Sequence, residues 1–161
     1  MSPDDQEHQP VIVVGVDGSA ASIEALQWAG RAAHATGARI EAVTSWEYPT
    51  SYGMSGAFGD WDPAADAQQV VDDAVAAAFP GQKPDAIHAT ICEGHPAEVL
   101  ITASRDAEML VVGSRGRGGF VGLLLGSVSA YCAEHAPCPV VVIRPNPGRR
   151  LDHTKPQGHS G

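Results

Sequence analysis

Positive charge is scarce in this chain: 10 lysines and arginines stand against 19 aspartates and glutamates, a formal net charge of −9 over 161 residues. General nucleic-acid binders hold phosphate backbones with clustered Lys and Arg, so that class is excluded. A small anion is not excluded, because a local loop can reverse the sign of a global field. Long apolar runs are missing too. None approaches the ~18 residues of a membrane span, and Met1 to Pro10 is polar and acidic, without the basic start and apolar stretch of a secretion signal. These absences point to a cytoplasmic protein with no membrane partner. Cysteine is sparse and odd in number: Cys92, Cys132 and Cys138 form no CxxC pair and read as buried thiols rather than a disulfide framework. Cys132, His135 and Cys138 are close in sequence, but Pro137 breaks the helix between them and no fourth metal ligand is in range.

What is present is apolar and small. Hydrophobic residues make up 43% of the chain and aromatics only 6%, which suits helices packed closely on a sheet through Ala, Val and Gly. The length fits one domain. Strand-like and helix-like segments alternate, as in a parallel sheet with crossover helices. Val11 to Val16 is a β-branched run expected to be a buried central strand. Asp17-Gly-Ser19 breaks it, Ser19 caps a helix with Ile23, Leu26, Gly30 and Ala33 on one face, and Gly37 ends that helix. Arg39 to Trp46 reads as a second strand and Tyr48 to Asp60 as a mobile surface loop. A second helix starts at Asp62-Pro63, carries Val70, Val71, Ala74, Val75 and Ala78, and stops at Pro80-Gly81. Ala86 to Cys92 is a third strand, Pro96 to about Ser104 a third helix, and Met109 to Gly113 a fourth strand. Gly126 to His135 is a fourth helix and Pro139 to Ile143 a fifth strand. Residues 1–8 read as a flexible N-terminus, 9–144 as the folded domain and 145–161 as a disordered tail.

The chemistry concentrates in Gly113-Ser-Arg-Gly-Arg-Gly-Gly119, which leaves a strand and leads through Leu125 to Gly126-Ser127-Val128-Ser129 at a helix start. In an open α/β sheet, ligands bind beyond the carboxyl ends of the strands. Glycines at 113, 116, 118 and 119 permit positive φ and let backbone N–H groups converge on an anion. Ser127 offers a hydroxyl, and the N–H groups of Ser127, Val128 and Ser129 add the positive end of the helix dipole. Arg115 and Arg117 bring positive charge to an acidic protein. A bare glycine cluster is often only a flexible loop; strand, arginines and a Gly-Ser helix start together are more specific.

Gly113, Gly116, Gly126 and Ser127 reproduce the G-x2-G-x9-G-(S/T) spacing of the ATP-binding branch of the universal stress protein family. Val14 to Ser19 resembles the family's first strand and acidic turn, Gly94-His-Pro-Ala97 its G-x-P-A helix start, and Cys138 to Val142 its last strand. The resemblance covers roughly residues 9 to 144. It implies a single doubly wound α/β domain, Rossmann-like and similar to the adenine nucleotide alpha hydrolases, with a five-stranded parallel sheet in order 3-2-1-4-5 and helices on both faces. It implies ATP as ligand, with Mg2+ or Mn2+ held by the phosphates. Gly15, Val16 and Asp17 are then expected near adenosine, and the backbone of Thr44 at the adenine edge. Gly113, Gly116, Gly126 and Ser127 are expected along the triphosphate, with Ser114, Arg115, Arg117, Gly118, Gly119 and Val128 around them. Asp17 has an alternative role as a turn residue. The resemblance also implies a homodimer through Val140 to Ile143, against which stands an edge strand protected within a monomer.

A nucleotide fold is not yet an enzyme. No Gly-Lys-Ser/Thr follows the glycines, so the P-loop lysine is missing. The turn after the first strand reads Asp17-Gly-Ser-Ala20, without the H-x-G-H of nucleotidyl transferases, and no Ser-Gly-Gly loop of ATP pyrophosphatases is present. His34 and His135 read as ordinary helical residues and His95 as a helix-start residue. The leading reading is a nucleotide-dependent regulatory protein of the stress response. The alternatives are a slow ATPase or autophosphorylating enzyme using the same site, and an interaction module that has lost its ligand.

Overall fold

A computed structural model describes residues 9–48, 60–81, 83–115 and 125–145 of the chain. Five strands alternate with four helices: β1 (Val11–Gly15), α1 (Ala20–Thr36), β2 (Arg39–Trp46), α2 (Pro63–Ala78), β3 (Ile87–Glu93), α3 (Pro96–Ala103), β4 (Met109–Gly113), α4 (Ser127–His135) and β5 (Val140–Ile143). The strands form one parallel sheet in the order β3-β2-β1-β4-β5. Crossovers run outward from β1 to β3, then return across it to β4 and β5. Right-handed connections moving in opposite directions put their helices on opposite faces, which makes the domain doubly wound.

β1 and β4 lie at the centre, and each is a short β-branched run whose three middle residues are buried. On one face, α1 and α2 cover Ile12, Val14, Ile40 and Val111. On the other, α3 and α4 cover Val13, Val43, Leu110 and Val112 with Ala97, Leu100 and Cys132. Strands buried on both sides need this all-apolar composition, because neither face meets water.

The helix ends follow local chemistry. Ser19 Oγ accepts the Ser22 N–H at the start of α1, and Gly37 ends it with φ 77°, a left-handed conformation that glycine adopts without steric cost. Asp62 Oδ1 accepts the Ala65 N–H at the start of α2, with Pro63 at its first position. His95 caps α3 through Nδ1, which accepts the Ala97 N–H. His34 is exposed, and the Nε2 of the exposed His135 lies 3.7 Å from Glu134 Oε1.

Two expectations need correction. The deepest face of α1 is Ala21, Ser22, Ala25, Leu26 and Ala29, with Ile23 and Ala33 at the margin of the core. Small side chains take the central positions because the helix sits close to the sheet. Gly113 is not left-handed, since the positive-φ glycines among the described residues are Gly18, Gly37, Gly81 and Gly94. A Cβ on Gly113 would lie 2.6 Å from Ala21 Cβ and 2.9 Å from the Ala21 carbonyl carbon. Glycine stands there because the end of β4 runs against the first turn of α1.

The three cysteines are free thiols, with Cys132 of α4 fully buried. Burial pushes the Cys132 thiol up to about 11, and the neighbouring Cys138 pushes the same way. Cys138 is raised by burial too, against a side-chain hydrogen bond with Ser104.

Two outcomes follow from this packing. Gly113→Ala should cost roughly 1–3 kcal/mol, because the backbone of α1 must move to admit the methyl group. A thermal melt unchanged from wild type would refute the contact. At pH 8, iodoacetamide should reach Cys132 only after urea unfolding, since the thiolate is the nucleophile and burial suppresses it. Peptide mapping that finds Cys132 alkylated equally fast in the folded protein would contradict that burial.

Candidate functional site

The topology decides where a ligand can go. β1 sends its chain toward β2 and receives β4 on its other side, so a crevice opens beyond the carboxyl ends of β1 and β4. A cleft of about 690 Å³ occupies that position, within the size range of small-molecule sites. Its walls come from six stretches of the sequence, at the ends of β1, β2 and β4 and at the starts of α2, α3 and α4.

The end of β1 supplies Gly15, Val16 and Asp17. Val16 is tied to β2 twice: its N–H donates to the Val43 carbonyl at 2.9 Å, and its carbonyl accepts the Thr44 hydroxyl at 2.9 Å. Thr44 is therefore a buried brace between β1 and β2 as well as part of the wall. Asp17 Oδ1 accepts the Ser19 N–H at 2.9 Å, the i to i+2 pattern of an Asx turn. Ser22 Oγ accepts the Asp17 N–H at 3.4 Å and donates to the Ser19 carbonyl. The turn role of Asp17 is thus present, and the residue stays exposed on the cleft.

The end of β4 and the start of α4 supply Gly113, Arg115, Gly126, Ser127, Val128 and Ser129. Ser114 does not line the cleft. Its side chain is 2% exposed, its N–H donates to the Ile143 carbonyl, and its own carbonyl accepts both the Gly126 N–H at 2.6 Å and the Ser129 hydroxyl at 2.9 Å. The same Ser129 hydroxyl lies 3.2 Å from the Gly126 carbonyl. The two ends of the glycine-rich segment are latched together at the mouth of the cleft. The first three N–H groups of α4 have no intrahelical partner and form a partial positive charge at that wall.

The remaining walls were not foreseen from the sequence. Trp46 ends β2 and Glu47 follows it, Trp61 stands just before the cap of α2, and Pro63, Asp66, Ala67 and Val70 come from the start of that helix. From the other face, Pro96, Val99 and Leu100 of α3 close the floor under Gly15. The signal for the aromatic wall was weak: Trp46 and Trp61 are separated by the 48–60 segment, and only the order β3-β2-β1 brings the start of α2 over the end of β2.

Of the residues singled out in the sequence, Gly15, Val16, Asp17, Thr44, Gly113, Arg115, Gly126, Ser127 and Val128 meet in this one cleft. Gly116, Arg117, Gly118 and Gly119 lie outside the described residues. Among the described residues, no group of three His, Cys, Asp or Glu side chains could hold a metal ion, and no helix is long and apolar enough to cross a membrane.

The chain was compared with known proteins. A universal stress protein of Mycolicibacterium smegmatis is 34% identical over 136 residues, covering 83% of this chain and 45% of that protein. The chain spans about half the length of the curated relatives it matches. Among solved structures, a universal stress protein of Lactobacillus plantarum superposes with a TM-score of 0.68 at 23% identity, over 84% of this chain and 97% of that one. Another, a universal stress protein in complex with cAMP, gives a TM-score of 0.59 at 28% identity over 84% and 97% of the two chains. The model of the universal stress protein family matches residues 10–144, so this chain belongs to the universal stress protein family.

Proposed function

We propose that the chain is an ATP-binding universal stress protein whose nucleotide occupies the cleft between β1, β4 and the start of α4, and that it acts as a nucleotide-dependent regulator. The observation that carries the proposal is the convergence of Gly113, Arg115 and the Gly126–Val128 helix start on the same cleft as Gly15, Val16, Asp17 and Thr44. Thr44 on β2 and Gly113 on β4 lie on either side of β1, so they stand two strand spacings apart, about 9.5 Å. That span suits an extended nucleotide, with its base toward β2 and its phosphates toward α4. The cAMP complex of a 28% identical relative supports an adenine nucleotide in this fold.

In this reading Thr44 and Val16 flank the base and Asp17 the ribose. The α4 N-terminus and Ser127 face the phosphates, where N–H donors and the helix dipole favour negative charge. Arg115, Arg117 and the glycines Gly116, Gly118 and Gly119 complete the phosphate shell with Ser114 behind it. Mg2+ or Mn2+ held by the phosphates would supply charge neutralisation there. Residues 9–144 are the folded unit, and the protein works in the cytoplasm. The assembly is a homodimer through β5: this edge strand is Val140-Val-Val-Ile143, and all four residues are only half-buried in the single chain. An apolar edge left so open is a template for pairing with a second copy.

Native mass spectrometry of the purified protein tests the core of the proposal. Dimers carrying ATP or ADP are expected, and Gly126→Val should abolish ATP binding in calorimetry while leaving the melting temperature near wild type. The φ of −76° at Gly126 suits any residue, so the loss would come from a Cβ at the phosphate wall. A wild-type protein that refuses ATP with magnesium would overturn the assignment. ATP affinity should also fall as ionic strength rises, since Arg115 and Arg117 act in an acidic protein. An affinity flat from low to high salt would remove the arginines from the site.

A further inference from the structure

The β2 end of the cleft is built from rings. Trp46 and Tyr48 meet edge to face with centroids 5.5 Å apart, and Tyr48 meets Trp61 in the same way at 6.1 Å. This row runs from the end of β2 to the start of α2. Its last member, Trp61, lines the cleft and remains 40% exposed. Large exposed rings are uncommon in this chain, where the other exposed large apolar side chains among the described residues are Tyr48 and Tyr131.

Trp61 is also aimed. It precedes the cap residue Asp62, and its indole N–H donates to Asp66 Oδ2 at 2.6 Å, one turn into α2. Those two positions, just before the cap and four residues into the helix, usually hold an apolar pair that fixes how the chain enters a helix. Here a charge-assisted hydrogen bond takes that place, which fixes the direction of the indole N–H as well as its position. Asp66 lines the cleft too, but its carboxylate is engaged with the ring that faces the ligand space.

We infer that Trp61 is the base-stacking residue of the cleft, that Asp66 is a positioning residue acting through it, and that this pair makes the site selective for purine nucleotides. The inference rests on the nucleotide reading above and deepens it. An indole offers a broad π face; a two-ring purine covers more of it than a one-ring pyrimidine, and the contact needs no hydrogen-bond code. The phosphate wall at α4 is indifferent to the base, so discrimination between nucleotides must arise at the other end of the cleft. Asp66 comes from α2 and Trp61 stands just before its cap, a stretch that contributes no group to the phosphate wall.

The test uses the full chain, calorimetry, and three probes: ATP, CTP and inorganic tripolyphosphate, each with magnesium. Wild type should bind ATP more tightly than CTP. Trp61→Leu should weaken ATP about tenfold, the scale of one base–aromatic stack, and leave tripolyphosphate unchanged. Trp61→Phe should restore most of the ATP affinity. Asp66→Ala should weaken ATP severalfold with tripolyphosphate again unchanged, and Asp66→Asn, which keeps an oxygen for the indole N–H, should recover it. Trp61→Leu binding ATP as tightly as wild type overturns the inference alone, provided that wild type binds ATP. Equal losses of ATP and tripolyphosphate in Trp61→Leu overturn it too, because they would mark general damage to the cleft. A wild type that binds tripolyphosphate and not ATP sinks both this inference and the nucleotide reading, while one that binds nothing removes the site itself.

Discussion

The end of β4 touches the first turn of α1 with no room for a single carbon between them. That contact sets the height of α1 above the sheet, and much of the site depends on it. Because α1 starts so close to β4, the turn from Asp17 to Ser19 is pinned beside Gly113, held by the Ser19 and Ser22 hydroxyls and the Asp17 carboxylate. Because β4 ends there, its chain turns out through Ser114 and Arg115 rather than continuing into the helix layer. The crevice that every doubly wound sheet possesses at its switch point is thus given a definite width. Close packing of this kind transmits small changes, so the fold and the cleft are one mechanical problem.

Much of the architecture was legible because the signals were local. Val11 to Val14 and Met109 to Val112 are β-branched or apolar runs of strand length, and the structure makes them the central strands. Ser19, Gly37, Asp62-Pro63 and Pro96 each mark a helix end by chemistry that needs only neighbouring residues. The sheet order came from the likeness to a family, since spacing alone does not say which strand lies beside which. The glycine-rich segment was found for its spacing, yet Gly113 earns its place by a contact with Ala21 on α1, far away in sequence. Ser114 looked like a ligand residue and is instead a buried joint. The aromatic wall escaped notice because Trp46 and Trp61 share no motif and are connected through Tyr48, which meets both edge to face.

The two ends of the cleft differ in chemistry. At the α4 end the groups are backbone N–H donors, small residues and Arg115, which would act on a ligand through charge. At the β2 end they are rings and aliphatic side chains, whose contribution scales with apolar area and shape. Thr44 and Val16 join the two halves through a hydroxyl-to-carbonyl bond that braces β1 against β2. Such a division would let the α4 end stay as it is while the other is reshaped by a few substitutions near the start of α2.

The latch at Ser114 has a consequence for how the segment beyond it can vary. Its carbonyl holds Gly126 and Ser129, so the start of α4 is anchored to the end of β4 before any ligand arrives. Changes of sequence between Ser114 and Gly126 would therefore leave α4 where it stands, and lineages could retune the charge of that stretch without disturbing the helix that follows it.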